Sequence, residues 1–149
     1  RLPSSPDVAP ATPANVRHVR LEWAGKGLVF RGGPEGGPQI TLDSDAVEGP
    51  SPTHALLLAL AGCMAVDVKM ILEKSRVPIE SIEVEATGVR AETPPRRFVS
   101  IVLTYAVRGP GEGDKKKVQR ALDLSREKYC SVLHSLDPGI AVEIRVRGD

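Results

Sequence analysis

Residues 51–76 read SPTHALLLALAGCMAVDVKMILEKSR, the most apolar run in the chain, with Cys63 in its middle. Ser51 followed by Pro52 predicts an N-cap and a first helical position: a serine hydroxyl can accept an unpaired amide proton, and proline has none to leave unpaired. From Ala55 to Val66 every residue is Ala, Leu, Gly, Cys, Met or Val, so about three turns of helix have no polar face and must be covered on all sides. At ~1.5 Å per residue this run is ~18 Å long, short of the ~30 Å hydrocarbon core of a bilayer, which predicts a core helix and no membrane partner. Beyond it Asp67, Lys69, Glu73 and Lys74 alternate with Val68, Met70, Ile71 and Leu72, and Pro78 ends any continuation.

Outward from this helix, the chain predicts an α+β fold. Residues 1–15 carry Pro3, Pro6, Pro10 and Pro13 among small polar residues and read as an extended arm, leaving 16–149 as one domain. Alternation over 16–23, an apolar run over 27–31 and another over 39–42 predict a three-stranded antiparallel meander. After the helix, 82–91 alternates Ile82, Val84 and Ala86 with Glu83, Glu85 and Thr87, while 98–107 is nearly continuous Val, Ile, Leu and Tyr; residues 92–97 join them as a hairpin loop. Asp114 sits where a second helix should be capped. Val118, Ala121, Leu122, Ser125, Tyr129, Val132, Leu133 and Leu136 then keep the spacing of one helical face, with Tyr129-Cys130 at its end or at a break into a short last helix. Ile140, Val142, Ile144 and Val146 form one face of a final strand.

Composition excludes several functions. Twenty Lys and Arg against nineteen Asp and Glu give a net charge of +1, and aromatics make up 3%, so the chain has neither the basic footprint nor the stacking residues of a nucleic-acid binder. Lys115, Lys116 and Lys117 oppose the dipole of the helix they open and read as a solvated face. The run from Gly32 to Gly37 lacks the trailing Lys-Ser/Thr of a phosphate loop and reads as a flexible turn. Two cysteines do not make a disulfide scaffold, and no signal-peptide pattern precedes the first strand; a cytoplasmic setting is expected. His134, four residues after Cys130, suggests a metal site with Cys63, but no CxxC or HxxxH spacing supports it, and no metal or cofactor is expected.

Two segments carry a family resemblance. GPSPTHALLLALAGCMAVDV resembles the first cysteine motif of the OsmC/Ohr superfamily (osmotically inducible protein C and the organic hydroperoxide resistance proteins), and REKYCSVLHSL resembles its second, in the same order and separation. The resemblance spans residues 16–146 and is nearest to the general OsmC-like branch. It implies antiparallel sheets wrapped around a central buried cysteine helix, an intertwined homodimer, and reduction of organic hydroperoxides by a thiol or dithiol reductant without a cofactor. The apolar helix agrees on one point, since six strands and one other long helix leave it short of cover that a second subunit can supply.

On this resemblance Cys63 is the attacking thiolate, oxidised to a sulfenic acid, and Cys130 is the thiol that condenses with it as a disulfide. Read without the family, Cys63, between Gly62 and Met64, packs as a small buried hydrophobe, the more ordinary role. An apolar wall raises a thiol pKa, so a cation must offset the desolvation, and Asp67, one turn along the same face, cannot do so. The family's peroxidases use an arginine from the N-terminal sheet, for which Arg31 is the first candidate and Arg20 the second. They also use a glutamate at the start of the cysteine helix, where this chain has Thr53 beside His54; Glu48 is the nearest substitute. That departure favours an alternative, a non-catalytic dimer holding a small hydrophobic ligand in an apolar cleft near Cys63.

Overall fold

The computed structural model describes residues 13–148, so most of the arm expected over 1–15 lies outside the described residues. The chain forms two compact units, the first ending at Pro52 and the second beginning at Thr53.

The first unit is the expected antiparallel meander, β1 (Arg20–Trp23), β2 (Val29–Gly33) and β3 (Ile40–Asp43) in that order across the sheet. Each strand is shorter than, or displaced from, its sequence pattern. The alternation from Val16 includes residues ahead of β1 that have no strand partner, because β2 ends at Gly33 and its last pairing is with Arg20. Asp43 closes the unit. Its carboxylate accepts from the amides of Asp45 (2.9 Å), Glu48 (3.0 Å) and Val47 (3.2 Å), winding the polar connection around one buried acid.

The cysteine helix α1 (Pro52–Lys74) begins at the predicted proline and, from Thr53 on, belongs to the second unit. With 23 residues and an 18-residue stretch of mean hydropathy 2.1 it has the length and composition of a membrane span. One face nevertheless lies in a protein core. Leu60, Met64, Val68 and Leu72, spaced four apart, are fully buried in one cluster with Ile101, Leu103 and Tyr105. Burying such a side chain contributes about 1.5–3 kcal/mol.

The sheet of this unit has β5 (Phe98–Arg108) at its centre, antiparallel to β4 (Ser81–Arg90) and parallel to β6 (Ala141–Val146). A strand flanked on both edges accounts for the continuous apolar run of β5, whereas β4 keeps the inward-outward alternation of an edge. The parallel return to β6 needs a crossover, and α2 (Lys115–Leu124), a π-turn over Ser125–Tyr129 and α3 (Ser131–Ser135) provide it.

The crossover departs from the sequence reading at one point. A single uninterrupted helical face would carry Tyr129 inward with Ser125. In the structure the Cys130 amide donates to the Ser125 carbonyl at 2.9 Å, a bond spanning five residues, and this wider turn admits one extra residue. Tyr129 is therefore 49% exposed, and Cys130 is fully buried in its place.

Candidate functional site

Three side chains converge where α1 meets the end of the π-turn. Cys63 and Asp67 lie one turn apart on α1, and Cys130 arrives from the crossover. The two sulfurs and a carboxylate oxygen of Asp67 all lie within 4.8 Å of one another. Cys63 and Asp67 are half-buried and Cys130 is sealed in the core; both cysteines are free thiols. A four-residue step keeps two side chains on one helix face, so the first pair follows from sequence. The third member depends on the π-turn.

The surroundings hold this group in place. Ser125, the first residue of the π-turn and fully buried, donates from Oγ to Asp67 Oδ2 at 2.8 Å. Arg126 donates to the Val142 carbonyl at 2.8 Å, tying the same turn to β6. Cys130 precedes α3 in an extended conformation, and its sulfur accepts from the Leu133 amide at 3.4 Å. Burial pushes the Cys130 thiol up to about 11, the Leu133 amide opposes that shift, and the neighbouring Cys63 and Asp67 reinforce it. Cys130 is a protonated thiol at neutral pH.

Tyr105 lies beside the group. Its ring is fully buried in β5, and its hydroxyl has no hydrogen-bond partner among the described residues. Burial first, then negative charge on Cys130, Asp67 and Cys63, raises its pKa well above the ordinary phenol value. Ser125 and Tyr105 are site residues that the sequence reading left in the core. The signal was present for Ser125, a hydroxyl on the apolar face of a helix, which needs a partner when buried.

The arginine candidates belong to the first unit. Arg31 is the middle residue of β2, opposite Glu22 and Thr41, exposed, and without an ion pair among the described residues. Arg20 is paired with Glu22 at 2.7 Å. Glu48 is occupied by Lys26 at 2.6 Å. His134 does not join the cysteine group; it is in the last turn of α3.

Residues 43–145, more than half of the chain, match the model of the family described as OsmC-like protein. The chain is 40% identical over 125 residues to Protein YhfA of Escherichia coli strain K12, covering 83% of this chain and 92% of that one. A crystal structure of a hypothetical protein from Aquifex aeolicus is 31% identical, with a TM-score of 0.77 over 89% of this chain and 95% of the other. At the level of fold alone, the organic hydroperoxide resistance protein OhrB of Bacillus subtilis superposes with a TM-score of 0.58 at 14% identity, covering 87% and 96% of the two chains. The two cysteine motifs, the α+β architecture and these matches place the chain in the OsmC/Ohr superfamily, as a member of its OsmC-like family.

Proposed function

We propose that the protein is a two-thiol reductase of organic hydroperoxides. The observation carrying this reading is the approach of the Cys63 and Cys130 sulfurs to within 4.8 Å, although 67 positions separate them in the chain. Cys63, the more accessible thiol, attacks the peroxide as a thiolate. The O–O bond breaks, the distal oxygen stays on sulfur as a sulfenic acid, and the alkoxide takes a proton and leaves as alcohol. Cys130 then attacks the sulfenic sulfur, forming the disulfide, and the hydroxyl leaves as water with the Cys130 proton. A thiol or dithiol reductant restores both thiols by exchange.

The residues divide the work. Arg31, exposed on β2 and without an ion pair among the described residues, is the cation that the family resemblance assigns to the Cys63 thiolate. Asp67 serves the second step instead, taking the proton that buried Cys130 must lose and passing it to the leaving hydroxyl, which departs as water. The fold relative OhrB of Bacillus subtilis is an organic hydroperoxide resistance protein, which agrees with this chemistry.

The alternative, a non-catalytic ligand holder, has one observation in its favour, a groove of about 260 Å³ lined by His54, Leu57, Leu58, Ala61, Val84 and Ala86. It is smaller than the roughly 300–1,000 Å³ usual for ligand sites and does not include Cys63. Single-turnover oxidation with cumene hydroperoxide, followed by intact mass and then by steady-state assay with a dithiol, tests the proposal. Cys63 is expected to oxidise within the dead time of manual mixing; a Cys63 left unmodified under excess peroxide near neutral pH overturns it in favour of the ligand holder.

A further inference from the structure

We infer that, in the reduced protein, Cys63, Cys130 and Asp67 form a three-ligand site for a thiophilic divalent cation of the zinc class. The inference does not rest on peroxidase activity, only on the same three side chains. Tetrahedral zinc, with bonds of about 2.3 Å to sulfur and about 2.0–2.2 Å to oxygen, sets its ligand atoms some 3.5–3.8 Å apart. Ligand atoms gathered within 4.8 Å of one another need only side-chain adjustment to meet that spacing.

Local spacing conceals this site, because two ligands come from α1 and the third from beyond the π-turn. Two thiolates and a carboxylate bring three negative charges into a half-buried group, and none of the ion pairs among the described residues reaches Asp67. A divalent cation neutralises two of the three. Binding replaces both thiol protons, which leave to solvent.

Two further residues fit a site and have no other employment. The Ser125 hydroxyl fixes Asp67 Oδ2 and leaves Oδ1 as the ligand oxygen, the kind of outer support that orients metal-binding carboxylates. Tyr105, fully buried, offers an unpartnered hydroxyl that feels charge on all three ligands, and it can donate to a ligated sulfur or to a water in the fourth position. His134, exposed in the last turn of α3, is not among the ligands.

The test uses Co²⁺ as a spectroscopic probe on the reduced full-length protein, followed by displacement with Zn²⁺. One equivalent of cobalt is expected to give a thiolate-to-metal charge-transfer band that zinc abolishes. Cys63→Ser, Cys130→Ser and Asp67→Asn should each weaken binding at least about 10-fold, and Ser125→Ala by about 10-fold through its hold on Asp67. Should Cys130→Ser fail to fold, as judged by circular dichroism, wild-type protein oxidised to the disulfide answers the same question and should bind no cobalt. Absence of the band in reduced wild type, or its persistence after Cys63→Ser or after oxidation, overturns the site.

Discussion

Ser125 Oγ and Asp67 Oδ2, 58 residues apart, are joined at 2.8 Å, so the turn that delivers one thiol is bonded to the helix that carries the other. Removing the hydroxyl leaves a half-buried carboxylate oxygen short of a donor. Ser125→Ala should therefore lower stability by about 1–3 kcal/mol in urea unfolding and slow formation of the Cys63–Cys130 disulfide. Unchanged values for both would show that the bond holds nothing in place.

The two thiols should behave differently. Cys63→Ser should abolish peroxide turnover, whereas Cys130→Ser should allow one oxidation of Cys63, trapped as sulfenic acid, and fail in recycling. In the wild type, iodoacetamide near neutral pH should label Cys63 well ahead of Cys130, which is sealed and held protonated up to about 11. Peptide mapping of partially alkylated protein decides this, and equal labelling would contradict the division of roles.

Leu58, Val66 and Met70 line one side of α1 at 53–61% exposure, with Gly62 between them. In the first unit Val19, Leu21 and Trp23 leave an apolar face of similar exposure. Uncovered faces of this kind are expected to meet a second copy of the chain. Sedimentation at micromolar concentration should give a dimer, and Val66→Asp should shift it toward monomer; a stable wild-type monomer would remove the basis for the expectation.

Asp43 predicts an acid sensitivity. Amides of Glu48, Asp45 and Val47, with Lys26 nearby, hold its pKa below the ordinary 3.8 despite some desolvation. A depressed carboxylate pKa stabilises the fold fully above the unfolded value and loses that contribution as pH falls through the folded value. The first unit should thus weaken below about pH 4. Trp23, the only tryptophan, lies in that unit and reports its unfolding by fluorescence. Asp43→Asn should be less stable near neutral pH and show a flatter acid limb.

Gly88 is set by space and not by backbone angle. A methyl group there would stand 2.5 Å from the Phe98 ring and 3.2 Å from Leu57 Cδ2. Gly88→Ala should cost about 1–3 kcal/mol in thermal or urea unfolding, as overpacking does; a neutral result would mean that the Phe98 ring yields freely.

Much of this was legible in the sequence, for identifiable reasons. The Ser51-Pro52 start, the alternation of β4 and the run of β5 are local signals, and local signals survived. The pairing of Cys63 with Asp67 follows from a four-residue step. The inward place of Cys130 does not, because helical periodicity selects Tyr129, and only a turn one residue wider reverses the two. Asp67 read as a hindrance to Cys63 because its tie to Ser125 and its approach to Cys130 are tertiary facts. The meander was legible, but its edges were not, since pairing partners decide where a strand stops.

The π-turn makes chain length, more than residue identity, the sensitive variable of the crossover. Inserting one further residue into Ser125–Tyr129 would exceed what the wider turn takes up and turn everything after it by about 100°. Every amino acid of the thiol group would still be present, yet Cys130 would face away from Cys63. A change of this sort leaves composition and both cysteine motifs almost intact while uncoupling the thiols. In variants of this chain, insertions falling between Ser125 and Cys130 therefore carry more weight than substitutions there.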